Sequence, residues 1–219
     1  VPRRVPAQGA GTLCNFQVSL RPRTDVAAPE GTRRSEVLTF NSGGSGARPS
    51  VDGLNATAFP SGVMTMPVEA TEHAGPVIVW RKELRPDSGG VGEFRGGLGQ
   101  FMEVGAQEGH EFDFSAMFDR VDHPALGRVG GGQGGPTTIA RSDGSTMQGR
   151  QFVPHGQRVL LAFPGGGGYG PAHARDSDHV FRDLVRGYIS EQSARDDYGL
   201  SEDLIQAALD QARLGEPTA

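Results

Sequence analysis

Cysteine and lysine are almost missing from this sequence of 219 residues, which contains one of each. Because Cys14 has no partner in the chain, an internal disulfide is excluded, and a reducing cytoplasm is the simplest expected location. Lys82 lies in the sequence W-R-K-E, whereas a P-loop requires Gly-Lys followed by Ser or Thr. The chain therefore has no P-loop for binding nucleotide phosphates.

Long apolar runs and an excess of positive charge are also missing. The longest apolar stretches, such as 76–80 and 159–163, are far too short to cross a membrane. The net charge of −5 and the pI of about 5.7 give no electrostatic reason to expect nucleic acid. The sequence V-P-R-R-V-P-A-Q-G-A at the start has no apolar signal core, which agrees with the expected cytoplasmic location. We expect neither nucleic acid nor a membrane as a partner.

The hydrophobic fraction is low, at 36%, and glycine accounts for most of the difference, with 34 residues. Glycine is needed where φ is positive or where backbone must approach another group closely. Clustered glycines therefore predict specialised loops, not a uniformly flexible chain. The clusters lie at 42–46, 89–99, 127–135 and 165–170.

Hydrophobic patterning between the glycine clusters predicts strands, and the end of the chain predicts helices. In Glu111–Phe118 the alternation places the phenylalanines on one face. The predicted strands are 36–40, 76–83, 100–104, 111–118 and 157–163, and the predicted helices are 177–186, 190–198 and 201–214. The expected fold is α+β, with a β-rich core, long glycine-rich loops and a short helical C-terminal segment.

Three regions follow from this pattern. Residues 1–40 are predicted to form an extended arm and a strand that pack on a partner chain. Residues 41–175 are predicted to form the β-rich core, and residues 176–219 the C-terminal helices.

Two short motifs resemble those of serine hydrolases, but neither is complete. The sequence D-S-G-G at 87–90 resembles a protease nucleophile motif, yet Pro86 replaces the preceding glycine and no histidine has a matching upstream context. The sequence G-G-S-G-A at 43–47 lacks the last glycine of a nucleophile elbow. The run G-G-G-G-Y-G at 165–170 could form an anion nest, but a close-packed turn is the favoured interpretation.

Histidines and carboxylates concentrate between 110 and 123, where His110, Asp113, Asp119, Asp122 and His123 lie. Imidazole and carboxylate together can bind zinc or manganese. Strand alternation would spread these side chains over both faces, so the polar face of a strand is the favoured interpretation. We assign no metal ligand in this chain.

Paired charges flank two of the glycine clusters. Arg48 and Asp52 flank the first, and Glu83, Arg85, Asp87 and Arg95 flank or lie within the second. Arginine offers a planar fork of donors that matches a carboxylate. Two interpretations stay open: the loops hold one another together through Arg–Asp pairs, which composition slightly favours, or they clamp a substrate.

Several motifs together resemble the hydantoinase B family, which supplies the B component of hydantoinase and 5-oxoprolinase enzymes and subunits of acetone and acetophenone carboxylases. The resemblance runs from about Val5 to about Leu200 and corresponds to the C-terminal portion of such a subunit. The motifs are G-G-S-G-A-R-P-S-V-D-G (43–53), P-V-E-A-T-E (67–72), E-L-R-P-D-S-G-G-V-G-E-F-R-G-G-L-G (83–99), G-G-G-G-Y-G-P (165–171), R-D-x-x-x-V-x-x-D-x-x-x-G-Y-I-S (175–190) and A-R-x-x-Y-G (194–199).

The resemblance implies ATP-dependent opening of a small cyclic amide, such as a hydantoin, 5-oxoproline or another lactam. It implies an A-type subunit that binds ATP and activates the amide carbonyl, and a chain with the N-terminal half of the B-type subunit that carries a divalent metal, zinc or manganese. This chain itself is expected to bind no cofactor and to be inactive alone. Two alternatives are a subunit of an ATP-dependent ketone carboxylase and a non-catalytic structural subunit.

The resemblance also singles out polar residues at the matching motif positions. Asp87, Arg85 and Arg95 are the candidates for a catalytic role. We expect the group to shape the pocket and to orient neighbouring chains without binding metal. The substrate-binding or pocket-shaping candidates are Arg48, Asp52, Glu72, Ser88, Gly89 and Gly90.

Overall fold

The computed structural model describes residues 4–11, 13–23, 25, 34–57 and 65–215. Within them, two antiparallel four-stranded sheets precede three C-terminal helices. The first sheet has the order β2-β1-β5-β7 and the second β3-β4-β8-β6. The strands are β1 (Phe16–Pro22), β2 (Ser35–Thr39), β3 (Val77–Leu84), β4 (Gln100–Ala106), β5 (His110–Ala116), β6 (Thr138–Arg141), β7 (Arg150–Val153) and β8 (Arg158–Ala162). The helices are α1 (Val68–His73), α2 (Ser177–Val185), α3 (Glu191–Asp196) and α4 (Glu202–Gly215).

One hydrophobic core is shared by the two sheets. In β1 every second side chain is buried, and Val18 lies opposite Phe114 of β5 in the antiparallel register. The second sheet contributes alternate residues such as Met102 and Val104 of β4. The predicted face of Glu111–Phe118 is confirmed, since Phe112 and Phe114 are both fully buried. The predicted α+β class is confirmed.

The two shortest strands, β6 and β7, were not indicated by the sequence. Each has four residues and lies at the edge of its sheet. The described β6 has no buried residue and β7 has one, so neither sequence shows the apolar alternation that predicts a strand. The three predicted C-terminal helices are confirmed, with bounds that differ by a few residues from the prediction.

The glycine clusters form a separate layer of extended backbone, which we call the glycine core (residues 42–46, 89–99, 127–135 and 165–170). Its segments are joined sideways by backbone hydrogen bonds, for example from Gly97 N to Ser45 O at 2.8 Å and from Gly166 N to Gly97 O at 2.9 Å. A Cβ atom at Gly44 or Gly166 would lie less than 3.0 Å from backbone atoms of neighbouring segments. The favoured interpretation of 165–170 as close-packed backbone agrees with this geometry.

The C-terminal helices have a small apolar core of their own. It contains Val180 and Leu184 from α2, Ala194 from α3, and Ile205 and Ala208 from α4. In the part of the chain that the structure describes, no helix has the length and apolar character that crossing a membrane requires.

The substitution Gly166→Ala tests whether the glycine core depends on this close approach. We expect it to lower the free energy of unfolding by about 3 kcal/mol, the upper part of the usual range for overpacking, because the new methyl group would meet the backbone of Ser45 and Gly46. Urea unfolding of both proteins measures the change. Gly215→Ala is the matched control, since a Cβ there meets nothing within 4 Å. Equal effects of the two substitutions would contradict this account.

Candidate functional site

Two arginines and two aspartates meet where the glycine core contacts α2, and we call them the Arg–Asp cluster (Asp52, Arg95, Arg175 and Asp183). Arg175 donates from Nη1 to Asp52 Oδ1 at 2.7 Å and from Nη2 to Asp52 Oδ2 at 2.8 Å. Nη2 also donates to Asp183 Oδ2 at 2.7 Å, and Arg95 Nε donates to the same oxygen at 3.1 Å. The backbone N–H of Arg95 completes the cluster by donating to Asp52 Oδ1 at 2.7 Å.

The cluster is deeply buried but electrically balanced. The exposed fractions of the side chains are 1% for Arg175, 4% for Arg95, 8% for Asp183 and 30% for Asp52. Burying a charge is costly unless it is paired and hydrogen-bonded, and here two cations face two anions. The cluster therefore joins the loops at 52 and 95 to α2 with no net formal charge.

The shifted pKa values of Asp52 and Arg175 favour their charged forms. Burial alone would raise the pKa of Asp52, but the hydrogen bonds and charge of Arg175 outweigh it and hold that pKa below the ordinary value of 3.8. Burial likewise lowers the pKa of Arg175, yet its contacts with Asp52 and the charge of Asp183 raise it overall. Burial raises the pKa of Tyr198, which lies beside Arg175, to about 12. These groups do not exchange protons near neutral pH, so the cluster is suited to holding structure and not to acid–base chemistry.

Arg85 and Ser88 are occupied by contacts within the chain. Arg85 Nη1 donates to Pro136 O at 2.6 Å and to Phe163 O at 3.4 Å. The Ser88 hydroxyl donates to Arg85 O at 2.6 Å and accepts from Gly99 N at 2.9 Å, and Ser88 is only 1% exposed. This geometry does not present Ser88 as a nucleophile.

Asp87 connects the glycine core to the helical segment. Its backbone has a φ of 56°, in the left-handed region that favours glycine, asparagine and aspartate. Its N–H donates to Tyr188 O at 3.1 Å, and its carboxylate accepts from Ser190 N at 2.8 Å. Because Ser190 caps the start of α3, Asp87 fixes the position of that helix.

The remaining predicted residues occupy three different places. Gly89 and Gly90 lie inside the glycine core, where a Cβ atom would meet Gly96 and Gly132 respectively. Glu72 is on α1 and accepts from Val79 N of β3 at 2.9 Å. Arg48 is exposed, and its backbone forms a bridge with Val51.

The structure thus brings together only part of the predicted set. Asp52 and Arg95 share the Arg–Asp cluster, whereas Arg48 and Glu72 are not members of it. Sequence reasoning missed Arg175 and Asp183, the partners that complete the cluster. Both stand at fixed positions of the motif R-D-x-x-x-V-x-x-D at 175–183, which was the available signal.

A large groove lies elsewhere on the surface, with a volume of about 1970 Å³. Of the predicted site residues, all of which lie in the described part of the chain, only Arg48 lines it. The groove exceeds the roughly 300–1,000 Å³ that is typical of small-molecule pockets. Its main walls are segments 6–11, 42–46, 115–122, 136–140 and 146–149.

The described residues contain neither a cluster of metal ligands nor a reactive thiol. No three or more His, Cys, Asp or Glu side chains there are arranged to hold a metal ion. Burial raises the pKa of Cys14 to about 12, which makes its thiol a poor nucleophile.

Comparison with known proteins matches most of the sequence to one family model. The family model described as Hydantoinase B/oxoprolinase matches residues 1–172. Caprolactamase subunit beta from Pseudomonas jessenii is 32% identical over 185 residues, covering 75% of this chain and 30% of that protein. The acetophenone carboxylase delta subunit from Aromatoleum aromaticum is 28% identical over 214 residues, covering 79% of this chain and 31% of that protein.

A solved structure extends the similarity into the C-terminal helices. The crystal structure of the ATP-dependent caprolactamase from Pseudomonas jessenii matches 98% of this chain and 39% of its own chain, with 25% identity and a TM-score of 0.75. The chain therefore spans about a third of the length of the relatives it matches.

The substitution Asp183→Asn tests the Arg–Asp cluster. It should cost about 3–5 kcal/mol of unfolding free energy, because it removes one of the two anions that face two buried guanidinium groups. Urea unfolding gives this cost, and hydrogen exchange should show lost protection in 177–215. Glu202→Gln is the control and should change little, since its pair with Arg195 is exposed. A result for Asp183→Asn that resembles the control would contradict the assigned role.

The pH dependence of stability gives a second test of the cluster. Because the folded-state pKa of Asp52 is lowered, its stabilising contribution is complete above the unfolded-state pKa and is lost as pH falls through the folded-state value. We expect the unfolding free energy to fall below about pH 4, the ordinary range of a carboxyl pKa. In Asp52→Asn the unfolding free energy should fall less steeply as the pH is lowered. An unchanged slope, measured by urea unfolding at a series of pH values, would contradict the expectation.

Proposed function

Because the chain belongs to the Hydantoinase B/oxoprolinase family, we propose that it is the C-terminal portion of a B-type subunit in an ATP-dependent cyclic amide amidohydrolase. The proposed substrate class is a small cyclic amide: a hydantoin, 5-oxoproline or another lactam. The similarity to caprolactamase subunit beta over 75% of the chain carries this proposal. The match of 98% of the chain to the caprolactamase structure supports it for the helical segment as well.

The proposed complex divides the chemistry between chains. An A-type subunit would bind ATP and activate the amide carbonyl, and a chain with the N-terminal half of the B-type subunit would carry zinc or manganese. The described residues of this chain do not fit a divalent metal, since they offer no group of three suitable ligands. We propose the cytoplasm as the location of the complex.

The catalytic assignment of Arg85, Asp87 and Arg95 stays a prediction. All three side chains bond within the chain: Arg85 to carbonyl oxygens, Asp87 to Ser190 N, and Arg95 to Asp183. These contacts favour a positioning role, in which the loop 83–99 and the helices are held in one arrangement against neighbouring chains. Displacement of reacting groups by about 1 Å can cost on the order of 100-fold in rate, so positioning residues can still govern turnover.

A separate observation supports each of two alternative functions. A subunit of an ATP-dependent ketone carboxylase is supported by the similarity to the acetophenone carboxylase delta subunit over 214 residues. A non-catalytic structural subunit is supported by the internal engagement of Arg85, Asp87 and Arg95.

Reconstitution separates the hydrolase from the carboxylase. The chain is combined with an A-type subunit and the N-terminal half of a B-type subunit, and each reaction is assayed with ATP. Lactam hydrolysis that requires this chain is the expected result, because the chain is 32% identical to a caprolactamase subunit. Bicarbonate-dependent consumption of a ketone without lactam hydrolysis would replace the proposal with the carboxylase alternative.

Substitutions in the reconstituted complex separate positioning from a purely structural role. Asp87→Ala should lower kcat by roughly tenfold to 100-fold, because it frees Ser190 N and lets the loop and α3 shift. Arg85→Ala should act in the same direction. Asp143→Ala, in an exposed turn, is the matched control. Unchanged turnover per assembled complex in the first two variants would support the structural-subunit alternative.

A further inference from the structure

We propose that the groove is the docking surface for the part of a B-type subunit that this chain does not contain. This inference rests on the proposed function and adds to it the place where the two portions meet. The occupant is a polypeptide segment with an apolar surface.

Exposed apolar side chains of the groove are the first observation. Met117 is 91% exposed, Leu38 51%, Leu54 48% and Val121 43%, and all four line the groove. Single exposed apolar residues are normal, but an exposed apolar patch in one concave surface is typical of an interaction site. Burying apolar side chains is favourable, so a partner that covers them gains affinity.

Charge around the apolar side chains is the second observation. Arg48 and Arg120 supply positive charge to the groove lining, and Asp119 and Asp122 supply negative charge. A lining that combines exposed apolar residues with charges of both signs is typical of protein–protein interfaces. A binding site for a charged small molecule would instead favour charge of one sign.

The size of the relatives identifies the occupant. This chain corresponds to 30% of caprolactamase subunit beta and to 39% of the chain in the caprolactamase structure. More than half of such a subunit therefore consists of other polypeptide, which is enough to fill a groove of about 1970 Å³. In a full-length subunit that polypeptide is held beside this portion at high effective concentration.

A second copy of the chain fits the groove less well. In a two-fold symmetric dimer the same surface of both copies meets. Two concave surfaces placed face to face would enclose empty space and would leave Met117 and its neighbours poorly packed. The geometry thus favours a different, complementary surface.

A single introduced thiol can report contact at the groove. Cys14 is 3% exposed and has a raised pKa, so it should not react with a maleimide in the folded protein. Met117→Cys places a reactive thiol in the groove, and Leu214→Cys places one at the end of α4, where Leu214 is 89% exposed. The probe is a portion of Pseudomonas jessenii caprolactamase subunit beta, namely the part outside the 185 residues that match this chain. It is co-expressed with each full-length variant of this chain.

The expected result is a stable complex in which maleimide labelling at position 117 slows at least tenfold, while labelling at position 214 is unchanged. A complex in which position 117 is labelled as fast as in the free chain would overturn the groove as the docking surface but leave the proposed assembly intact. Absence of a complex would count against both. Protection at position 117 in the chain alone, with a doubled mass in native mass spectrometry, would identify a second copy as the occupant and overturn the inference.

A charge variant checks the same surface without labelling. Met117→Glu combined with Leu38→Glu should weaken the complex by at least tenfold, because the apolar contact would then bury carboxylates. Leu204→Glu combined with Leu214→Glu is the matched control on α4 and should leave the complex unchanged. Similar folding of both variants, checked by thermal unfolding, makes the comparison valid. Equal binding by both pairs would contradict the groove as the site.

Discussion

The close approach of backbone segments in the glycine core is the constraint on which the other features depend. A Cβ atom at Gly44, Gly90 or Gly166 would lie less than 3.0 Å from backbone atoms of another segment. Only glycine allows this spacing, and the spacing allows the sideways hydrogen bonds that satisfy the buried backbone. The ends of the strands and the loops at 52 and 95 are placed by this layer.

A layer made of glycine buries little side-chain surface, so other contacts must hold the C-terminal helices against it. The Arg–Asp cluster and Asp87 do so with charged and backbone hydrogen bonds. A buried ion pair adds little stability compared with apolar packing, but its loss leaves an unpaired charge, which makes the arrangement specific. The family model ends at residue 172, and the hydrogen bond from Arg95 to Asp183 joins the matched region to α2 beyond it.

The buried Arg–Asp cluster and the exposed groove have different tasks. Asp52, Arg95, Arg175 and Asp183 are engaged with one another and fix the helices. The groove keeps large apolar side chains such as Met117 exposed. This division agrees with the proposed positioning role of the cluster and the proposed docking role of the groove.

The sequence alone predicted the α+β class, the C-terminal helices and the family, because hydrophobic periodicity and glycine motifs are local signals. It also selected Asp52 and Arg95 as candidate site residues, but not as members of one cluster. Tertiary structure decided that Asp52 pairs with Arg175, which lies 123 positions away, and that Arg48 faces a groove instead. The edge strands β6 and β7 likewise acquire their structure from neighbouring strands. Contacts between distant segments depend on how the layers pack, and no local pattern carries that information.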